Sequence, residues 1–278
     1  MPEGPYYLFD PVQFKEYGGS FFQGADFYYR YQQTKKLFFR NIYIPFGPVC
    51  QTKKGFESFL KHLQSLRLAK IKIDLPMIYD KEIIEETTEG LHKRGFKKVP
   101  YLLQDEETLL VFKNDLKLDN KKRNIINHGY KFVDIVVKDK LSQKEIDNIY
   151  QIYLGSGKRI GFSPKSKDLF LKFAENCLVS LAFEKETHTL EGYVFGYLIN
   201  NGKILLNMFT GTNDAGREHK IGHAMHYELF KTSFEKYGVD FVDLRGASRT
   251  KNRAYIHFKR DFSHNFYSLP GSFTKFNF

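Results

Sequence analysis

The chain has 278 residues, of which 42% are hydrophobic and 27% charged, a composition typical of a globular protein with one or two domains. Its formal charge of +11 favours anionic partners such as nucleic acid, phosphorylated ligands or an anionic membrane surface. The two cysteines lack metal-ligand spacing, and there is neither a signal-peptide pattern nor an apolar run of about 20 residues, so we expect a cytoplasmic protein without membrane-spanning helices.

The first half contains two passages from a helical pattern to a strand pattern. The predicted elements are, in order, a helix over 56–68, a strand over 69–74, a helix over 81–94 and a strand over 96–103. Gly95 suits the left-handed position that ends a helix. The basic stretch 117–131 then leads toward a junction near residue 138.

The second half repeats this alternation. The predicted elements are a helix over 142–154, strands over 178–184, 191–199 and 203–210, a helix over 223–237 and a strand over 239–244. Between them, the glycine-rich and basic segment 155–161 predicts a loop. That loop is either a flexible connection or a backbone that approaches an anion closely.

A helix that ends at a glycine and continues into a strand occurs at Gly95 and again at Gly238, half the chain apart. This spacing predicts two similar α/β domains, residues 1–137 and residues 138–278, with a C-terminal tail able to pack back on the first domain. Chance recurrence of a common unit is the alternative explanation.

Most strong catalytic motifs are absent from the sequence, including the Walker A loop, the Rossmann glycine fingerprint and the G-x-S-x-G nucleophile elbow. Residues 219–224 partly match the R/Q-x-x-G-x-G/A segment with which GNAT-type acetyltransferases hold coenzyme A. In that case the backbone amides of Ile221, Gly222 and Ala224 would bind the pyrophosphate. An ordinary start of a helix is the alternative. His219, His223 and His226 cluster here, and the spacing of His219 and His223 could hold a metal on a helix, but no third ligand is evident, so we predict no metal site.

Seven short segments, in order along the chain, carry a family resemblance. They are residues 23–30, 45–49, 72–76, 158–170, 207–212, 243–246 and 258–262. Together they resemble motifs of the Fem family of peptidoglycan bridge-forming aminoacyltransferases, in its compact FemX-like form. The resemblance implies an α/β fold of two tandem GNAT-like domains.

The same resemblance implies a reaction. An amino acid would pass from aminoacyl-tRNA to an amine of a UDP-linked or lipid-linked muropeptide precursor, by direct attack and without a cofactor or a covalent enzyme intermediate. The sequence does not determine the oligomeric state, and we expect a monomer. Two other functions stay open: an acyl-CoA-dependent N-acyltransferase of GNAT type, and a basic nucleic-acid-binding module.

The family's site residues map onto positions of this chain. The expected catalytic residues are Lys259, Phe258 and Asp74. Lys259 would stabilise the oxyanion, and Asp74 would lie near the acceptor amine. The expected substrate-binding residues are Arg30, Lys165, Arg159, Phe209 and Asp243. Arg30 and Lys165 would bind the precursor diphosphate, although lysine at 165 replaces the family's arginine and Phe209 lacks the phenol of a family tyrosine.

Each of these residues also has an ordinary structural explanation. Asp74 would then cap a turn, and Asp243 would bind backbone amides at the end of a strand. Arg30 and Lys165 would be solvated cations. Lys259 would be a surface lysine whose stem packs on apolar neighbours.

Overall fold

The computed structural model describes residues 19–50, 52–76, 78, 80–100, 107–174, 177–199, 202–247 and 254–277. The chain forms two compact units. Unit 1 takes the described residues up to Thr108 and from Tyr267 on, and unit 2 takes Leu109–Phe266. No helix within these ranges has the length and apolar character needed to cross a membrane.

The described residues of unit 1 form a seven-stranded sheet and two helices. Its strands are β1 Ser20–Gln23, β2 Phe27–Lys36, β3 Phe39–Ile44, β4 Val49–Cys50, β5 Ala69–Asp74, β6 Lys97–Val99 and β14 Ser272–Asn277, and its helices are α1 Lys53–Ser65 and α2 Lys81–Lys93. The strand order is β1-β2-β3-β5-β14-β6, with β4 paired to β2.

The core of unit 1 follows from two periodicities. In α1, Phe56, Phe59 and Leu63 recur at helical spacing and are buried, and the Thr52 hydroxyl accepts a hydrogen bond from the Gly55 amide to cap the helix. In β5, Ile71 and Ile73 alternate with more exposed lysines and are fully buried. These faces pack together into one cluster.

Unit 2 has its own seven-stranded sheet. Its strands are β7 Glu107–Val111, β8 Val133–Lys138, β9 Cys177–Glu184, β10 Leu190–Ile199, β11 Ile204–Thr212, β12 Phe241–Asp243 and β13 Asn265–Ser268. Its helices are α3 Asn120–Gly129, α4 Gln143–Ile160, α5 Lys167–Ala174, α6 Asp214–Glu218, α7 Gly222–Lys236 and α8 Ala254–Arg260, with a 3-10 turn at Lys113–Leu116. The strand order is β13-β7-β12-β11-β10-β9-β8, and β11 and β12 run parallel.

The sheet of unit 2 is covered on both faces, as the alternation in β10 shows. Val194 belongs to a core cluster with Met225 and Leu229 of α7. The neighbouring Phe195 points the other way, and its ring lies 5.4 Å from that of Phe170 on α5. Helices on both sides of a mixed sheet make this an α/β unit.

The sequence predicted most of these elements. Helices over 56–68, 81–94 and 223–237 correspond to α1, α2 and α7, and the strand over 69–74 is β5. Gly95 and Gly238 both take a positive φ, 80° and 64°, as expected for residues that end helices. Of the strand predicted over 96–103, β6 covers the central part, and residues 101–103 lie outside the described residues.

The segment predicted as a glycine-rich loop is helical instead. α4 continues through Gly155 and Gly157 to Ile160, and Gly161 ends it with a φ of 84°. At Gly157 a Cβ would lie 2.6 Å from Cγ of Pro164, so the glycine lets the following chain pack closely on the helix. Gly157 therefore serves helix packing, and the segment is not a flexible connection.

The division between the units differs from the predicted boundary at residues 137 and 138. Those two residues lie within β8, which pairs with β9 over its whole length, so one strand of unit 2 contains both. The chain passes from unit 1 to unit 2 at Thr108. The C-terminal tail returns to unit 1, where β14 inserts between β5 and β6.

Candidate active site

A bulge in the sheet of unit 2 creates the candidate site. Phe195 of β10 pairs with Phe209 of β11, but the next residue, Gly196, pairs with Asn207, so Met208 is an extra residue in β11. The parallel pairing of β11 with β12 stops just before this point, at Leu206. A bulge bends its strand, and beyond it β11 is no longer paired to β12.

A pocket of about 320 Å³ lies at this opening. It is lined by β11 on one side, by the chain that follows β12 on the other, and by α8. The lining residues are Asn207, Met208, Phe209, Thr210, Leu244, Arg245, Gly246 and Lys259. None of them carries a carboxylate, and two carry a permanent or near-permanent positive charge. The pocket is therefore suited to a group that is anionic or becomes so.

Lys259 is held firmly at this wall. From α8, its Nζ donates hydrogen bonds to the backbone oxygens of Arg245, at 2.6 Å, and Gly246, at 2.8 Å. The ammonium also lies 5.0 Å from the centre of the Tyr255 ring. These contacts fix the position of the charge, so it would need little reorganisation to meet a negative charge in the pocket.

Arg245 adds a second cation in a strained backbone conformation. Its φ is 56°, in the left-handed region that non-glycine residues rarely adopt. The Asp243 carboxylate accepts a hydrogen bond from the Arg245 amide at 2.5 Å, and the guanidinium contacts the sulfur of Met208 at 2.8 Å. The buried Asp243 thus shapes the turn that places Arg245 in the pocket, in agreement with its structural interpretation.

Lys165 belongs to the same group of charges. It lies half-buried in the loop before α5, where its carbonyl accepts a hydrogen bond from the Tyr150 hydroxyl at 3.0 Å. Burial lowers the pKa of Lys165, and the positive charge of Arg245 lowers it further. The two positive charges therefore repel each other, and an anion bound here would relieve that repulsion.

Thr210, which lines the pocket, forms a polar pair with His226, which does not. His226 is buried, and its Nδ1 lies 2.8 Å from the carbonyl oxygen of Gly222, which can only accept; Nδ1 therefore carries the proton. Burial, followed by the charges of His223 and Lys259, lowers the pKa of His226 to about 4, so the ring is neutral. Its Nε2 then accepts from the hydroxyl of Thr210, at 3.2 Å.

This arrangement fixes the direction of the Thr210 hydroxyl. Because its hydrogen is used on His226, its lone pairs are left to accept from N–H groups in the pocket. A second acceptor is close by. The side-chain Oδ1 of Asn207 is buried and has no hydrogen-bond partner within the described part of the chain. The hydroxyl oxygen of Thr210 and Oδ1 of Asn207 can both accept hydrogen bonds from an amine.

Comparison with solved structures identifies the architecture. FemX superposes with a TM-score of 0.71 over 95% of this chain and 90% of that chain, at 14% sequence identity. The fold is that of FemX. It therefore consists of two tandem GNAT-like units, as the motifs predicted.

Two further structures share this FemX fold. L-PGS from Bacillus licheniformis has a TM-score of 0.65 over 99% of this chain and 93% of that chain, at 13% identity. The C-terminal domain of a putative lysylphosphatidylglycerol synthetase from Agrobacterium fabrum has a TM-score of 0.63, with 92% and 82% covered, at 11% identity. No protein-family model and no curated protein sequence matches the chain.

Only some of the residues of unit 2 that were predicted as site residues line the pocket. Lys259 and Phe209 line it, whereas Lys165 is not a lining residue but feels the positive charge of Arg245. Phe258 does not line it: its ring packs 4.6 Å from that of His223 and 4.9 Å from that of His226, in the aromatic core behind the wall. Arg159 is exposed in the last turn of α4.

The two residues predicted in unit 1 have well-defined surroundings. Asp74 is fully buried at the end of β5 and accepts hydrogen bonds from the hydroxyls of Tyr43, at 2.6 Å, and Ser272. Its backbone oxygen accepts from the Gly47 amide, at 3.1 Å, and so ties down the turn after β3. Arg30 lies half-buried on β2, and its Nε has no hydrogen-bond partner among the described residues.

The start of α7 is largely occupied by the chain itself. The Ile221 amide donates to the carbonyl of Gly216, at 3.3 Å, and Ile221 and Ala224 are fully buried. A Cβ at Gly129 of α3 would lie 3.0 Å from that of Ala224, so α3 packs tightly here. Gly222 in turn faces the ring of Phe258. Within the described residues, no group of His, Cys, Asp and Glu side chains is arranged to hold a metal ion.

Among the polar and charged residues of the pocket region, sequence reasoning missed four: Asn207, Thr210, Arg245 and His226. The first three stand inside the motifs that carried the family resemblance, but nothing in those motifs assigns them a role. His226 was noted only as a possible metal ligand. Its pairing with Thr210 joins α7 to β11, and that contact exists only in the folded chain.

Proposed function

We propose that this protein is an aminoacyltransferase that moves an amino acid from the 3′ ester of a tRNA to an amine of a muropeptide precursor. The observation that carries the proposal is the Lys259 ammonium, fixed by two backbone carbonyls at the wall of a pocket whose lining has no carboxylate. The FemX fold and the Fem-like motifs support the choice of donor and acceptor.

In the proposed step, the acceptor nitrogen forms a bond to the ester carbonyl carbon, and the carbonyl π electrons move onto the oxygen. Lys259 stabilises the resulting oxyanion. Collapse of this intermediate breaks the bond to the ribose 3′ oxygen, which takes up the proton that the amine gives away. An ammonium already held in place stabilises the oxyanion more than the neutral ester, and this difference accelerates the reaction.

Other groups of the pocket have supporting roles in this proposal. The lone pairs of Thr210 accept an N–H of the attacking amine and orient its nitrogen toward the carbonyl, and Asn207 offers a further acceptor. Lys165 and Arg245 bind the diphosphate of a UDP-linked precursor, which neutralises their repulsion. Arg30 and Asp74 keep their roles toward the precursor on the strength of the Fem resemblance alone.

The acyl-CoA alternative is weaker on this geometry. It requires the amides at the start of α7 to face a pyrophosphate, whereas the Ile221 amide is bonded to Gly216 and the helix start is packed against α3. Direct comparison of the two donors decides between the alternatives.

The proposal is tested by comparing Lys259→Met with Lys275→Met. Both lysines are half-buried and lie over an aromatic ring, Lys275 at 5.8 Å from the centre of Phe96 in unit 1. With aminoacyl-tRNA and a UDP-linked muropeptide, Lys259→Met should lower the transfer rate about 10²–10³-fold while precursor affinity changes little. Lys275→Met should transfer at the wild-type rate. Undiminished transfer by Lys259→Met would refute the role of the charge.

A further inference from the structure

One end of the unit 1 sheet carries exposed apolar side chains that no packing requirement explains. The hairpin between β2 and β3 closes with a two-residue turn, Leu37 and Phe38, whose side chains are 85% and 83% exposed. Leu68, just before β5, is 47% exposed, and Phe276, near the end of β14, is 49% exposed. We call these four residues the apolar tip.

These residues lie together. Arg40 of β3 donates its amide to the Leu68 carbonyl, at 2.9 Å, which ties the hairpin to the turn before β5. Phe276 pairs with Lys70 of β5, and its ring lies 6.3 Å from that of Phe39, at the base of the hairpin turn. The four residues of the apolar tip therefore lie at the same end of the sheet.

The backbone conformations at the tip are unfavourable for the residues present. Leu37 has a φ of 54° and Leu68 a φ of 50°, both in the left-handed region where glycine or asparagine is favoured. Two-residue hairpin turns usually contain Asn-Gly or similar pairs. Bulky apolar residues held in strain and facing solvent are better explained by a binding surface than by folding.

Positive charge surrounds the tip. Lys35, Arg67 and Lys70 are exposed beside it, and Arg40 is half-buried, its guanidinium donating to the Arg67 carbonyl at 2.9 Å. The strand ends and turns at this end of the sheet, residues 34–42, 66–71 and 274–277, contain no aspartate or glutamate. The surface thus combines an apolar apex with a cationic surround.

We propose that the apolar tip docks unit 1 on an anionic lipid bilayer. Leucine and phenylalanine side chains at the apex would enter the boundary between headgroups and acyl chains, while the surrounding cations would meet anionic headgroups. A convex apolar apex with a ring of one charge complements a deformable anionic surface. Binding of this kind is independent of the transfer chemistry in unit 2.

The absence of tryptophan from the chain allows a direct test in the full-length protein. Phe38→Trp introduces a single indole at the apex. Its fluorescence should shift to shorter wavelength with vesicles of equimolar phosphatidylglycerol and phosphatidylcholine, and should stay unchanged with phosphatidylcholine alone. Ile160→Trp is the matched control, because Ile160 is 65% exposed and flanked by the exposed Lys158 and Arg159 in unit 2. Its emission should not respond.

Co-sedimentation with the same vesicles supplies the second measurement. The double variant Leu37→Ser, Phe38→Ser should bind anionic vesicles at least about tenfold more weakly than the wild type, while Ile160→Ser should bind like the wild type. Higher salt should weaken binding of the wild type. Unaltered thermal midpoints will show that the variants are folded.

Three results would overturn the proposal. In the first, the wild type fails to sediment with anionic vesicles. In the second, the serine double variant binds these vesicles as tightly as the wild type does. In the third, the protein would form concentration-dependent dimers that the double variant abolishes, without any vesicle binding; the tip would then be a contact between two copies of this chain.

Discussion

Two substitutions of Arg245 separate the effect of its backbone strain on stability from the effect of its charge on ligand binding. Its φ of 56° costs a residue with a Cβ about 1–2 kcal/mol, whereas glycine adopts it freely but loses roughly 0.5–1 kcal/mol more backbone entropy on folding. Arg245→Gly should therefore be about 1 kcal/mol more stable than Arg245→Ala, which keeps the strain. The hydrogen bond from the residue 245 amide to Asp243 is available in both variants.

The same two variants should bind ligand alike. Each removes the guanidinium next to Lys165, so each should weaken binding of a UDP-linked muropeptide about 10-fold to 100-fold at low salt, the value of one charge-assisted contact. Denaturant unfolding followed by circular dichroism gives the stabilities, and titration calorimetry gives the affinities.

The outcome that refutes this reasoning is equally specific. If Arg245→Ala is more stable than Arg245→Gly, position 245 is not strained, because only the entropy cost of glycine then separates the two variants. If either variant binds the precursor as tightly as the wild type, Arg245 is not part of the anion site.

Three further predictions concern stability. Folding lowers the pKa of His226 from 6.5 to about 4, so the unfolded chain takes up this proton at a higher pH than the folded chain does. Roughly 3 kcal/mol of folding stability should therefore be lost as the pH falls from about 6.5 to 4. In acid titrations followed by circular dichroism, His226→Gln should lack this part of the pH dependence. Tyr43→Phe removes a donor from the buried Asp74 carboxylate and should destabilise the protein by about 1–3 kcal/mol in thermal unfolding, and an unchanged midpoint would show that the hydrogen bond contributes nothing. Ser142→Ala removes the capping box that Ser142 and Glu145 form at the start of α4 and should cost about 1 kcal/mol, whereas Ser65→Ala, at an exposed helix end, should cost much less when compared by the same unfolding assay.

Local patterns in the sequence were sufficient to predict most of the elements. The apolar spacing of α1 and the alternation of β5 reflect single-element physics, and both were confirmed. The failure at residues 155–161 also has a physical cause. Gly157 is read from sequence as a breaker, but its helical conformation is stabilised by packing against Pro164, a contact that the local pattern does not show.

The features that local patterns did not predict depend on contacts between segments far apart in the sequence. β14 comes from the C-terminus and lies between β5 and β6, so no division of the chain into two continuous halves could describe the units. The motifs predicted Lys259 and Phe209, which do line the pocket, but placed Phe258 with them although its ring faces the core. Arg245 became visible as a pocket residue only in the folded chain, where it lines the pocket with a φ of 56°.

The identity of the acyl donor tests the central claim most directly. The purified protein is incubated with a UDP-linked muropeptide and either labelled aminoacyl-tRNA or labelled acetyl-coenzyme A, and amide product is separated and counted. The proposed function predicts label in the muropeptide from aminoacyl-tRNA, at a rate that Lys259→Met reduces, and none from acetyl-coenzyme A. Transfer from acetyl-coenzyme A, with none from aminoacyl-tRNA, would contradict the account and establish the acyl-CoA alternative.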